Sequence, residues 1–510
     1  MPEMSAPLDD AADAAPAEPP PIEAPTADAP AAAPVPVPGR PFVVAAVLLA
    51  MFMAAMEATV IGTAMPTVVG DLGGLELYGW VGAVYMLATT VTIPIYGKLA
   101  DVLGRKPIML VGIAIFLAGS IGSGLAHSMT SLIVMRAIQG VGAGGIQPVA
   151  ITIVGDIYTP RERARIQGIF GAVWGLAGIS GPLLGGLIVH ALSWRWVFYI
   201  NVPFGLLSAL LLVIGLQEKS RAGTKRPPLD FGGVVVLTLA VLALLGGAQR
   251  LWLLPVGFAL VGLFVFVERR HPAPVLPIEL LSRRLIAVSS INGAIVGAVM
   301  TAAVVYVPLY VQAVLLGTPT EAGSAVAPML VGWPLASAFS GRLLLRLGPR
   351  PLVRVGFLCV ALASVAVDYL VMARAGIHAL QATMFAFGVG MGLANTALLI
   401  AVQDSVGFSE RGVATASTMF FRTIGGALAV GLLGGLMASA LSGKVPSEVL
   451  DDLLGPTHGK NLAPEAMATL ATTIHGAMAR VFHVILALGV LGALSGLFFP
   501  PVALKVDAKR

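Results

Sequence analysis

An all-helical fold that crosses a membrane many times is what this sequence predicts, and three observations carry the prediction. The 510 residues are 57% hydrophobic and only 11% charged, whereas soluble domains are about 25% charged. Apolar runs of about 18–25 residues recur from residue 41 onward, each long enough to cross a hydrocarbon core of about 30 Å at 1.5 Å per residue. One loop sequence then comes twice, far apart in the chain. So little charge cannot cover a soluble surface of this size, so lipid must be the solvent for much of the chain.

Residues 1–40 differ from the rest. They are Ala/Pro-rich and acidic, with too little apolar bulk to order themselves. They lack the basic start and short apolar core of a signal peptide, so the first span is expected to stay uncleaved. The apolar runs follow at 42–65, 78–97, 107–126, 130–154, 166–190, 199–216, 231–247, 251–267, 285–311, 322–345, 351–372, 379–402, 412–438 and 477–499. That makes fourteen expected transmembrane helices. The 60 glycines and 36 prolines do not argue against helices here, because neighbouring helices in a membrane re-satisfy the backbone. With the N-terminus placed in the cytoplasm, 23 of the 31 lysines and arginines fall in cytoplasmic gaps or tails and five in outer gaps. This bias follows the positive-inside rule and puts both termini on the cytoplasmic side. Cys359 is the only cysteine, so no disulfide can form within the chain.

The repeated loop reads GKLADVLGRKP at 97–107 and GRLLLRLGPRP at 341–351. The two align without gaps at an offset shared by the first and ninth runs. Two six-helix bundles are therefore expected, over 41–216 and 285–510, with helices seven and eight inserted at 217–284. Parallel repeats of this kind are a transporter plan, with the site between the repeats near mid-membrane. The stretch 439–476 is the longest outer gap. It is expected to overhang the outer mouth.

These residues resemble a known family. GKLADVLGRKP is similar to the loop signature of the major facilitator superfamily, Gly-x-Leu-x-Asp-x-x-Gly-Arg-Lys. MRAIQGVGAG (135–144) resembles its fourth-span motif, and WGLAGISGPLLGGLI (174–188) the fifth-span motif of its antiporters. WRWVFYINVP (194–203), LDFGG (229–233) and YVPLYVQAVLLGTPTEAG (306–323) resemble segments of its fourteen-span drug–proton antiporter group. The resemblance covers about residues 41–440. It implies a multidrug efflux transporter of the cytoplasmic membrane, powered by the proton gradient with no cofactor. One departure stands out: where the group carries Asp in the first span, this chain carries Glu57 in MEATVIG (56–62).

An intramembrane ionisable group suggests function. Glu57 lies roughly 22 Å from the inner face and Arg136 roughly 9 Å below the outer face, by helical rise. In a core of about 30 Å that is one depth, where an acid and a base can pair. Burial favours the neutral acid and a neighbouring Arg the carboxylate, so altering the pairing would let Glu57 take and release a proton. A purely structural ion pair and direct binding of a substrate cation are the alternatives. Asp101 can cap a helix N-terminus and pair with Arg105, so with Gly97 and Gly104 it is a candidate conformational latch. The second copy has Leu345 at the matching position, so the latch is expected to be one-sided; simple positive-inside topology is the alternative. Gly175, Gly178, Gly181, Pro182, Gly185 and Gly186 clear a face of the fifth span for close helix approach and a proline bend. Generic small-residue packing would use the same residues.

Substrate-cavity candidates are Met53, Met56, Tyr85, Trp174, Tyr306, Tyr310, Trp333, Phe421 and Arg422. An acid among aromatic and Met groups suits lipophilic cations; each apolar residue alone is equally a packing residue. Arg422 has no acidic partner in its own half. Asp368 reads as a solvated helix end and His483 as a packing histidine. GVGAGG (140–145) matches a dinucleotide fingerprint but lies inside an apolar run, where no strand precedes it. No Walker loop, metal-ligand cluster, catalytic triad or nucleic-acid patch is visible. The sequence thus points away from an enzyme and toward an exporter with a lipophilic substrate, protons and the bilayer as partners. Monomeric function is expected, with room for an accessory periplasmic or lipoprotein partner. Export of a lipid or endogenous metabolite on the same fold is the alternative, and a non-transporting receptor a more distant one.

Overall fold

A computed structural model describes residues 39–74, 77–218, 230–247, 250, 252–441 and 464–502. All regular structure among them is helical. The first group comprises α1 (Arg40–Leu72), α2 (Tyr78–Leu103), α3 (Arg105–Gly124), α4 (Met129–Ile157), α5 (Pro160–Ala191), the single turn α6 (Trp196–Tyr199) and α7 (Asn201–Gly215). Next come α8 (Phe231–Gly246), α9 (Leu253–Glu268) and the short α10 (Ile278–Ser282). The rest are α11 (Arg284–Ala313), α12 (Pro319–Leu347), α13 (Pro349–Met372), α14 (Ile377–Asp404), α15 (Arg411–Leu441) and α16 (Pro464–Leu497).

Among the described residues, 11 helical spans are long and apolar enough to cross a membrane, or 12 if the bent α5 counts as one. Fourteen were expected. The difference lies in α8 and α9, which have 16 residues each. At 1.5 Å per residue they reach about 24 Å, short of a core of about 30 Å. Helices otherwise run past their apolar runs. α1 continues to Leu72, and α16 starts at Pro464 rather than 477. Residues 442–463, most of the expected overhanging loop, lie outside the described residues, as do residues 1–38.

Local chemistry sets the helix starts. Thr159 accepts from the Glu162 amide while Glu162 reaches back to Thr159, with Pro160 at the first position. Thr318, Pro319 and Glu321 repeat that capping box on α12. Gly104 and Gly348, equivalent in the repeated loop, precede α3 and α13 with φ of 102° and 75°. A side chain is strained there, so the sharp turn requires glycine twice.

Helix pairing also repeats. α1 packs on α5 and α7, α2 on α4, and α3 on α4 and α7. Likewise α11 packs on α15 and α16, α12 on α14, and α13 on α14 and α16. Between the groups, α5 packs on α12 and α2 on α15, which is one contact made twice with roles exchanged. Large apolar side chains such as Leu183, Phe231, Phe258 and Tyr369 are at least two-thirds exposed. An apolar exterior of that kind fits lipid.

Candidate functional site

Glu57 lies near the middle of α1, and the structure brings it against Arg136 of α4. Both are 1% exposed. Arg136 and Gln139 share a helix face at i,i+3, and Arg136 Nη1 donates both to Glu57 Oε1 and to Gln139 Oε1, the latter at 2.7 Å. Asn201, the first residue of α7, donates to Glu57 Oε2 at 2.6 Å. Ser120 of α3 closes the network. Its hydroxyl donates to the Phe198 carbonyl at 2.8 Å and accepts from Gln139 at 3.2 Å and Asn201 at 3.0 Å. That uses the one donor and two lone pairs a hydroxyl has. Arg136 Nε donates to the Val81 carbonyl, and its guanidinium stacks 4.2 Å over the Tyr85 ring. The Glu57 carboxylate is therefore neutralised by one Arg and held by one Asn inside an apolar core.

Sequence reasoning missed Asn201, Gln139 and Ser120. Signals existed: Gln139 follows Arg136 by three in the quoted motif, and Asn201 is the polar residue within YINVP.

A second network joins the two helix groups at the end bearing the repeated loops. Asp101, 5% exposed, accepts from the Gly412 and Val413 amides at 2.9 and 2.8 Å. Those amides open α15, whose N-terminus favours a carboxylate. Arg105 pairs with Asp101 at 2.9 Å and with Asp156 at 2.8 Å, and its guanidinium lies 4.1 Å over the Phe408 ring. Asp156 pairs in turn with Arg411 at 2.7 Å, and Arg163 with Asp404 at 2.7 Å. Gly97 lets α2 approach α15, because a Cβ there would meet Ala416 and the Gly412 carbonyl. Gly341, its repeat partner, approaches Ala164 and Arg161 of α5 in the same way. Leu345 offers no carboxylate, so the Asp101 bonds have no second copy. Glu218 caps α3 from a distance by accepting the Arg105 and Lys106 amides at 3.0 and 2.9 Å. Asp156, Arg411 and the Arg163–Asp404 pair were not expected, because only the folded contact brings them together.

Along α5, Gly181 and Gly185 face Thr59 and Thr63 of α1, and Gly175 faces the Leu330 carbonyl of α12. Thr59 Oγ1 donates across to the Ala177 carbonyl at 3.0 Å. Gly186 is a correction: a Cβ there meets open space, so close approach does not require it. The stretches Pro160–Gly178 and Leu183–Ala191 bend by 43° on either side of Pro182.

Five cavity candidates are also corrections. Met53, Met56, Tyr85, Tyr306 and Tyr310 are packed inside helix cores, at 8% exposure or less. The reason is polar as well as apolar: Tyr85 supports Arg136, while the Tyr306 and Tyr310 hydroxyls donate to the Val430 and Val371 carbonyls at 3.0 and 3.4 Å. Trp174, Trp333, Phe421 and Arg422 remain partly exposed. Arg422 makes no hydrogen bond or ion pair among the described residues. Asp368 is buried rather than solvated, with His483 Nδ1 3.1 Å from its carboxylate; helix α16 covers it. Outside the spans, Asp71 accepts from Trp194 Nε1 and Arg195 at 2.9 Å each, which holds its carboxyl below the usual carboxylate range.

Comparison with known proteins places this geometry. The family model described as Major Facilitator Superfamily matches residues 47–430. The multidrug transporter protein MdtP of Bacillus subtilis (strain 168) is 34% identical over 457 residues, covering 87% of this chain and 84% of that protein. Multidrug resistance protein 3 of the same organism is 34% identical, covering 79% and 81%. The efflux pump FUS6 of Gibberella fujikuroi is 31% identical, covering 74% and 72%. The solved structure of the human organic anion transporter MFSD10 (TETRAN) shares the fold, with a TM-score of 0.59 at 16% identity, covering 88% of this chain and 99% of that one. On the family model and these relatives, the chain belongs to the major facilitator superfamily of multi-pass membrane transporters.

Proposed function

We propose that this transporter exports lipophilic drugs across the cytoplasmic membrane in exchange for protons, by alternating access. The observation that carries the reading is the Glu57–Arg136 pair, buried in the first helix group with Asn201 as its second partner. An intramembrane acid whose counter-charge is an arginine, which does not itself lose a proton, is suited to coupling: Glu57 either pairs with Arg136 or carries a proton. The Asp101 network supports the alternation, since it clamps α2 to the start of α15 and must break for that end to open. In this reading that end is cytoplasmic, both termini lie on the same side, and α8 and α9 complete fourteen spans between two six-helix bundles. The positive-inside bias supports the orientation. A cationic drug fits the scheme by competing with Arg136 for Glu57, aided by the partly exposed Trp174, Trp333 and Phe421.

The test is Glu57→Gln in proteoliposomes. Substrate-driven proton release should be abolished, while the variant still inserts and elutes as a single species. Undiminished proton release would remove the coupling role from Glu57.

A further inference from the structure

The α8–α9 pair takes no part in the networks above, yet two acids are buried at its base. Asp230, 3% exposed, caps α8: its Oδ1 accepts from the Gly233 amide at 2.7 Å. Glu268, 2% exposed, ends α9 and accepts from the Val275 and Leu276 amides at 3.2 Å each. The two carboxylates converge over Gly233. A Cβ on that glycine would lie 2.5 Å from Asp230 Oδ2 and 2.8 Å from Glu268 Oε1. Asp230 Oδ2 is shielded from solvent and has no hydrogen-bond partner among the described residues.

Two carboxylates that converge on one buried spot repel each other, because like charges interact strongly where water is excluded. An orphaned buried carboxylate oxygen is likewise costly unless something donates to it. One proton between the two groups answers both problems. We propose that Asp230 and Glu268 form a proton-binding site, holding one proton between them, at the base of the α8–α9 pair.

Among the described residues, the charged side chains acting on Glu268 are Asp230 and Lys98 of α2. Lys98 lies beyond ion-pair distance of either acid. On α15, which also packs on α8, the charged side chains are Arg411, committed to Asp156, and Arg422. In the following turn, Arg269 and Arg270 are exposed and His271 accepts from the Ala273 amide. With one proton the pair carries a single negative charge. Without it, two negative charges face each other beneath α8, next to the residue that follows Gly97 in the latch. The site stands independently of the transport reading, because it needs only the two acids and their burial.

Each acid alone has donors of its own. Asp230 has the start of α8, and Glu268 has two amides and the field of Lys98. This makes sharing testable by infrared difference spectroscopy on the full-length protein in detergent, in a Glu57→Gln background so that the known deep acid is silent. The carboxylic-acid carbonyl stretch should be present at neutral pH and vanish on alkalinisation. It should be lost at neutral pH in both Asp230→Asn and Glu268→Gln. Absence of the band without these changes, or its survival in either variant, would overturn the proposal. Asp230→Ser keeps a capping oxygen and replaces Asp230→Asn if that variant does not fold.

Discussion

At the residue scale, the ion pair is asymmetric. Breaking a buried pair by removing one partner costs about 3–5 kcal/mol, since the other charge is left uncompensated. Glu57 can escape that cost by taking a proton, whereas an arginine cannot become neutral. Arg136→Met should therefore lower thermal stability at neutral pH and recover it as the pH falls. Glu57→Gln should show no such recovery, and the double variant should be more stable than Arg136→Met alone. Thermal-shift curves over a pH series distinguish these outcomes. A pH-independent loss in Arg136→Met would mean that the damage comes from its stacking on Tyr85 and not from charge.

Among the helices, glycines with the same appearance in sequence do different jobs. Gly104 holds φ at 102° and faces the Glu218 carboxylate, while Gly348 holds 75° with open space beside it. Alanine at either should cost about 1–3 kcal/mol of backbone strain, with Gly104→Ala the worse because the Glu218 cap must also move. Gly186→Ala should be neutral, since nothing lies within 4 Å of its Cβ position. Melting temperatures of the three purified variants check the order. A loss at Gly186 matching that at Gly104 would contradict it.

Across the whole molecule, the latch role proposed for the Asp101 network can be tested by accessibility. Ala416 is fully buried against Gly97, so a thiol there would report separation of α2 from α15. In a Cys359→Ala background, Ala416→Cys should label slowly, and adding Asp101→Asn should speed labelling several-fold. The amide replaces a charged acceptor with a neutral one at the start of α15, and charge-assisted hydrogen bonds are roughly twice as strong as neutral ones. Unchanged labelling would show that the Arg105–Asp156–Arg411 chain shuts that end by itself.

Much was legible in the sequence because lipid imposes simple rules. A span needs a certain apolar length, a buried charge stands out against that background, and a duplicated loop shows itself by alignment. Glu57, Arg136 and Asp101 stand out this way as candidates, and so does the missing carboxylate at Leu345. What only the tertiary structure decided were the contacts between distant helices. Asn201 becomes the second partner of Glu57 because α6 and α7 carry it beside α1. Met53, Tyr85 and Tyr310 turn inward, because the same aromatic or Met side chain serves a packed core as well as a cavity. The facing of Asp230 and Glu268 depends on how α8 folds back on α9, which no periodicity encodes. Burial cost can be read from one helix at a time, but which groups share that cost is fixed only when helices pack.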